Sequence, residues 1–291
     1  MTLVAMCSAK GSPGVTTLAC VMGATWPAHR QVLIAELDPG GGDIAARFGL
    51  STRVGTTSFV LACRRAAAAT SDTGTPLLQR HVQLLPGGLP VLASPIGADA
   101  AGTLDRELAA TCDQFADSAV DVIADCGRLV PTADGQRGIL RRADAVVLVC
   151  RHDVASLAQA RWAAERLAEW VPGMVSLVLR GAPRQRADEA SALLGLDVLG
   201  IVPEDSAAAG VACGALGAQR SFARSGLVAA AAAISNRMLA VASSVHDDAA
   251  VPSVGDRAQV QDAAPQTLVA RMGSRLRRGS VNVAPLGERP A

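Results

Sequence analysis

Ser8-Ala9-Lys10-Gly11-Ser12-Pro13-Gly14-Val15-Thr16-Thr17 stands between a β-branched and apolar run, Thr2 to Met6, and an Ala-rich segment that reads as a helix from Leu18 to Thr25. A strand, a Gly-bearing turn and a helix N-terminus in that order gather main-chain N–H groups around one point, a geometry suited to a phosphate. The general signature of such a cradle is Gly-x-x-x-x-Gly-Lys-Ser/Thr. Gly14, Thr16 and Thr17 match its second half, but Val15 stands where the phosphate lysine belongs.

Composition makes the one remaining lysine informative. Of 27 basic residues 26 are arginine, and the single lysine is Lys10, inside this loop. An ammonium is a compact point charge and a guanidinium a wide planar fork, so the two are not interchangeable beside a phosphate. Lys10 is therefore expected to meet one.

Half of the 291 residues are hydrophobic, enough for a substantial core, and the net charge of +1 gives no overall bias towards nucleic acid or membrane. The seven cysteines (Cys7, Cys20, Cys63, Cys112, Cys126, Cys150 and Cys213) show neither C-x-x-C spacing nor a nearby histidine. They read as reduced, mostly buried thiols rather than as a disulfide framework or a zinc site. The N-terminus lacks the basic start and apolar run of a signal peptide. No stretch reaches the roughly 20 apolar residues that span a bilayer. The expectation is a soluble cytoplasmic protein.

Along the chain, strands and helices alternate. Gln31–Glu36 reads as a buried strand, followed by the turn Asp38-Pro39-Gly40-Gly41-Gly42-Asp43. Residues 52–80 are loosely helical around a polar loop near Ser71–Thr75. Leu89–Ser94 is a strand, Leu104–Asp117 a helix, and Val120–Asp125 a strand with an acid at its C-terminal end. Ala145–Cys150, Val175–Leu179 and Val198–Val202 are further strands, separated by helices over Ala155–Trp170 and Ala187–Leu194. Short apolar strands between helices predict an α/β fold, a mostly parallel doubly wound sheet covered on both faces. Ligands collect outside the C-terminal strand ends of such sheets, where Lys10, Asp38 and Asp125 fall. An acid ending an apolar strand has few structural reasons to be there, because a buried charge must be paired.

One α/β domain is expected over residues 1–243 and a flexible tail over 244–291. In the tail Leu268, Val269, Met272 and Leu276 would share one helical face, with Arg271, Arg275, Arg277 and Arg278 largely around the others. Such a segment can lie on an anionic membrane surface, which would make the protein peripheral to the inner face of the membrane; an ordinary solvated Arg-rich tail reads equally well. The remaining arginine pairs, such as Arg64-Arg65 and Arg141-Arg142, read as solvated faces. A dinucleotide-binding Rossmann unit is disfavoured by the lack of Gly-x-Gly-x-x-Gly after the first strand.

Lys10 to Thr17 resembles the deviant phosphate loop of the ParA/MinD ATPases, Lys-Gly-Gly-x-Gly-Lys-Thr-Thr, and its Ser-Pro-Gly-Val version looks nearest to a CpaE-like branch. Val32 to Gly41 resembles the family's second strand with its Asp-x-Asp-Pro segment. Asp125 resembles the Walker B acid, Arg142 to Cys150 the strand introduced by Ala-Asp, and Gly200 to Asp205 the stretch bordering the base. The likeness covers roughly residues 1–240. It implies a P-loop NTPase fold, ATP and Mg²⁺ as cofactors, and a nucleotide-dependent homodimer acting on an unidentified protein partner. Weak, non-specific DNA binding is implied as well.

By the same resemblance, Gly11, Ser12, Pro13, Gly14, Val15, Thr16 and Thr17 would line the phosphates, with the Thr16 hydroxyl on Mg²⁺. Asp125 would hold a metal-bound water, and Glu36, standing where the family has Asp, would act on the Mg²⁺ shell through a longer arm. Lys10 would reach the partner subunit's phosphates and Asp38 would orient the attacking water. Arg180 and Pro203 would border the base, with Leu179 in place of the usual Asn or Thr. Val15 removes a charge-assisted hydrogen bond to the phosphates, worth on the order of 1.5–3 kcal/mol, so binding would survive while turnover falls. Two functions follow: a dimerising ATP switch that positions or partitions a cargo with slow hydrolysis, or a pseudo-ATPase scaffold that does not turn over nucleotide.

Overall fold

The computed structural model describes residues 1–10, 13–68 and 75–249. Gly11, Ser12, the Ser71–Gly74 part of the polar loop and the basic segment around Leu268–Leu276 lie outside the described residues. In chain order the elements are β1 (Leu3–Ser8), α1 (Val15–Ala24), β2 (Val32–Glu36), α2 (Ile44–Phe48), α3 (Thr56–Ala68), α4 (Thr75–Gln79), β3 (Gln83–Leu84), β4 (Pro90–Leu92), α5 (Ala98–Leu108) and α6 (Asp113–Ala116). They continue with β5 (Asp121–Arg128), α7 (Asp134–Arg142), β6 (Ala145–Arg151), α8 (Val154–Trp170), β7 (Met174–Arg180), α9 (Gln185–Leu194), β8 (Asp197–Val202), α10 (Ser206–Ala212) and α11 (Gly226–Ala249).

The strands form one eight-stranded sheet in the order β3-β4-β2-β5-β1-β6-β7-β8. Every pairing is parallel except that of the two-residue β3 with β4. β1 is buried along its whole length, as a central strand covered by helices on both faces must be. Side-chain alternation then divides the core in two. Leu3, Ala5 and Cys7 of β1 enter the cluster that holds Phe59, Leu108, Phe115 and Leu167. Val4 and Met6 enter the one built on α1 and α11, with Leu18, Met22, Ile234 and Met238. The same parity runs through β2 and β5: Ala35 and Ala124 join the first cluster, Ile34 and Ile123 the second. Glu36 and Asp125, two residues beyond those isoleucines, therefore belong to the α1 side of the sheet.

Several elements differ from the sequence expectation. α1 begins at Val15, three residues earlier than read, because Gly14 starts it with φ +96°, a conformation that favours glycine. β5 continues three residues past Asp125, so the acid sits inside the strand rather than at its end. The helix expected over Leu104–Asp117 is two, α5 from Ala98 and α6 from Asp113. α7 was not legible: it buries Gln136, Ile139 and Leu140 but is polar and arginine-rich elsewhere. The last helix runs to Ala249, beyond the expected boundary at 243. Six of the seven cysteines are buried and all are free thiols, as expected. No helix among the described residues is long and apolar enough to cross a membrane.

The N-terminal end of β5 carries a buried acid with every need met. Asp121 is fully buried and accepts from Trp26 Nε1 at 2.8 Å, Thr2 N at 2.9 Å and the Arg30 guanidinium at 2.5 and 2.6 Å. Burial by itself would raise its pKa, but the Arg30, Trp26 and Thr2 bonds outweigh it and the net shift is downward. A depressed folded pKa contributes stability above the unfolded value near 4, and that contribution is lost as pH falls through the folded value. Removing one partner of a buried ion pair costs about 3–5 kcal/mol. Asp121→Ala is expected to lose that much in urea unfolding at pH 7, and clearly less at pH 3.

Candidate functional site

The loop after β1 delivers the N-terminus of α1 to the middle of the sheet's C-terminal edge. No side chain caps α1, and the first helical bond inside it runs from Leu18 N–H to the Gly14 carbonyl at 2.9 Å. The amides that precede Leu18 thus point out of the helix end, where its dipole is positive. Thr16 and Thr17 are half-buried there. Val15 is turned away: it is 5% exposed and its isopropyl group belongs to the hydrophobic cluster on the α1 side. It fills the core and leaves the loop mouth to main chain and hydroxyls.

Three carboxylates gather opposite that helix end. Glu36 and Asp125 are register partners on the adjacent parallel strands β2 and β5, and both are buried. Glu36 is held by main chain: Oε1 accepts from Asp43 N at 2.7 Å and Ile44 N at 3.0 Å, and Oε2 from Ser94 N at 2.9 Å. Burial pushes its pKa up, and the three amides oppose that shift. Asp38 Oδ1 accepts from Gly40 N at 2.7 Å, and its carboxylate lies across the Cα of Gly127, which has φ +56°. A Cβ there would come within 1.8 Å of Asp38 Oδ2, so position 127 has to be glycine.

Asp125 is the least satisfied of the three. Oδ1 accepts from Gly127 N at 3.1 Å, while Oδ2 is buried and has no hydrogen-bond partner among the described residues. Burial drives its pKa up to about 7; the nearby Thr16 hydroxyl opposes the shift without making a normal hydrogen bond to Oδ2, and the charges of Glu36 and Asp38 reinforce it. A buried acceptor left open beside a hydroxyl and two like charges is what a hydrated divalent cation would relieve. Among the described residues no three His, Cys, Asp or Glu side chains converge to hold a metal by themselves. Mg²⁺ keeps several waters and takes one or two protein ligands together with substrate phosphate, a demand that the open Asp125 Oδ2 and the Thr16 hydroxyl could meet.

The remaining sequence-predicted residues fall on the opposite flank. Lys10 is exposed and lines a cavity with Pro13, Arg151, Asp153 and Ser156, beside β6. Pro13, Gly14 and Thr17 also line a cleft of about 280 Å³ with Arg180, Pro203, Glu204 and Asp205. The fold thus brings the loop, Arg180 and Pro203 to one cleft and the acids to the other side of the α1 N-terminus. Within the Gly200–Asp205 stretch, Glu204 Oε1 lies 3.4 Å from Arg151 and 3.9 Å from Arg180. Sequence reasoning missed Arg128: burial pushes the Asp38 pKa up, and the Arg128 main-chain N–H and positive charge are among the groups that oppose that rise.

Because Asp125 is protonated to higher pH in the folded chain than in the unfolded one, it contributes stability below about pH 4 that falls away as pH rises to about 7. Asp125→Asn removes that dependence. In the ligand-free protein at pH 8 the variant is expected to be more stable than wild type by about 2–4 kcal/mol, with the gap closing towards pH 5. Paired urea titrations across this range read the difference directly.

No protein-family sequence profile matches the chain, and no curated protein does. Solved structures do. A ParA family ATPase from Chlorobium tepidum superposes with a TM-score of 0.65 at 18% identity, covering 81% of this chain and 98% of that one. The cell division ATPase MinD of Pyrococcus furiosus gives 0.64 at 15%, covering 82% and 98%. Cobyrinic acid a,c-diamide synthase of Mycobacterium smegmatis, solved with an ATP analogue and magnesium, gives 0.58 at 18%, covering 82% and 94%. The fold of this chain is that of the ParA/MinD P-loop ATPases.

Proposed function

We propose that the chain is a nucleotide-dependent switch that binds ATP with Mg²⁺ at the α1 N-terminus, dimerises around it and acts in positioning or partitioning a cargo. The observation that carries this reading is the buried, partnerless Asp125 Oδ2 beside Thr16 at an uncapped helix end. The main-chain amides of the loop bind phosphate oxygens and Gly14 lets the backbone approach them. Thr16 and Asp125 hold Mg²⁺, which when bound neutralises phosphate charge; Glu36 acts at one remove, since its oxygens are engaged by main chain. Asp38 orients the attacking water. The cleft at Arg180 and Pro203 takes the base. The synthase with a bound ATP analogue and magnesium supports nucleotide and Mg²⁺ for this fold.

Lys10 stands exposed at the rim, where an ammonium can reach the phosphates held by a second copy. An unidentified protein partner reads the assembled dimer, and the tail supplies any membrane contact. Weak DNA binding is part of the same reading.

A second reading, a pseudo-ATPase that keeps the fold without turnover, is favoured by one observation. Val15 is packed into the core, and no lysine of the loop replaces it on the same subunit's acid side. Phosphate release separates the two. The switch expects slow, measurable turnover that Lys10→Ala lowers by about tenfold or more. The scaffold expects a silent wild type and at least about tenfold more phosphate release in Val15→Lys. Calorimetry with ATP and Mg²⁺ that gives no heat of binding to the wild type removes both the switch and its nucleotide.

A further inference from the structure

We propose that Arg128 is the cation that meets the terminal phosphate from within the subunit, in place of the lysine that Val15 displaces. The inference rests on the nucleotide reading above and adds a residue to it.

Position is the first argument. Arg128 ends β5 in register with Ser8, the residue at which β1 turns into the phosphate loop. Leu129 N donates to the Ser8 carbonyl at 2.8 Å and Ser8 Oγ to the Gly127 carbonyl at 3.4 Å, so the segment carrying Arg128 is fastened to the start of the loop. Lys10 lies on the other flank, in the cavity beside β6 with Arg151 and Asp153. On the acid side of the α1 N-terminus Arg47 is taken up by Asp43 at 2.6 Å, while the charge of Arg128 is felt at Asp38.

The turn that presents Arg128 is built, not loose. Gln136 of α7 is fully buried and spends its whole amide on it: Nε2 donates to the Cys126 carbonyl at 2.6 Å and the Arg128 carbonyl at 2.8 Å, and Oε1 accepts from Val130 N at 2.8 Å. Asp105 of α5 in turn accepts from Gly135 N at 3.1 Å and Gln136 N at 2.8 Å. Gly127 is fixed at positive φ by the Asp38 carboxylate lying across it. Two buried polar side chains and one obligatory glycine thus define the main chain on both sides of a residue whose own side chain is exposed.

Availability is the third argument. Arg47, Arg64, Arg137, Arg142 and Arg186 each pair with a carboxylate on the surface. Among the described residues Arg128 pairs with none. A guanidinium next to a phosphate loop, without a carboxylate partner and on a rigid turn, offers the planar two-donor fork that phosphate oxygens accept. A lysine in the Val15 position would supply a point charge at the same oxygens from the helix side.

The test measures Mg²⁺-dependent binding of ATP and of ADP to the full chain, by calorimetry, for wild type, Arg128→Ala, Arg128→Lys and Val15→Lys with Arg128→Ala. Loss of one charge-assisted contact is expected to weaken ATP by about tenfold or more and ADP by about threefold or less, so that the ATP/ADP preference itself collapses. Arg128→Lys should fall between, and Val15→Lys should return the preference to the Arg128→Ala background. A merely structural role would move both nucleotides together, and that result overturns the assignment. An unchanged ATP/ADP ratio in Arg128→Ala overturns it too while leaving the nucleotide reading intact. A wild type that binds neither nucleotide overturns both.

Discussion

Two carboxylates side by side in the interior of a parallel sheet set the terms for everything around them. Glu36 and Asp125 are neighbours across β2 and β5, with Asp38 close by, and like charges in that relation oppose each other at short range and low dielectric. The chain treats the two differently. Three amides converge on Glu36, tying the turn after β2 and the end of β4 to one side chain. Asp125 gets one amide and keeps an open oxygen. The contrast with Asp121 makes the point within a single strand: four positions earlier, on the same face and equally buried, it receives Trp26, Arg30 and Thr2 and its pKa goes down, while that of Asp125 goes up. One end of β5 is finished by its own protein. The other end keeps a buried carboxylate oxygen without a hydrogen-bond partner among the described residues.

The two-sided core is what makes such a site tolerable. β1, β5 and β6 bury apolar side chains on both faces, so the sheet does not depend on the acids for its cohesion. Val15 belongs to the same economy of space. Burying an isopropyl group contributes roughly 1.5–3 kcal/mol to the α1 side of the core, whereas a lysine there must run its stem through that space and free its ammonium at the loop. Val15 thus serves packing, and on the proposed reading any charge that meets a phosphate here would come from outside the helix.

How much of this was legible depended on range. The loop, the central apolar strands and the acid Asp125 could be read because their signals are local: a Gly-bearing turn between a strand and a helix, and a charge on an apolar run. Period-2 alternation was absent in the buried strands, yet their parity is what places Glu36 and Asp125 on one side, and it emerges only once both faces are covered. The amides that hold Glu36 were not legible, because one of them, at Ser94, lies 58 residues away. α7 carried too few apolar residues to announce itself, and its defining side chain is the buried amide of Gln136, which no hydrophobic pattern reveals. Arg128 follows a glycine in a chain full of arginines; only the register of β5 against Ser8 distinguishes it.

The separation of the cations carries the last step. Lys10 and Arg128 stand on opposite sides of the α1 N-terminus, one beside β6 and the other beside β5. A charge meant for the site's own acid side has to be held on a turn locked to those acids, which describes Arg128 through Gly127 and Asp38. A charge meant for a neighbouring copy has to be exposed at the rim and clear of those acids, since pairing with them would hold it back; Lys10 meets both conditions. With Val15 at the loop position where the resemblance expects a lysine, the proposed function would have this division let a single chain bind the nucleotide. On the proposed reading, the full complement of positive charge around a phosphate would then be present only while two chains are together, and assembly would be the step that nucleotide controls.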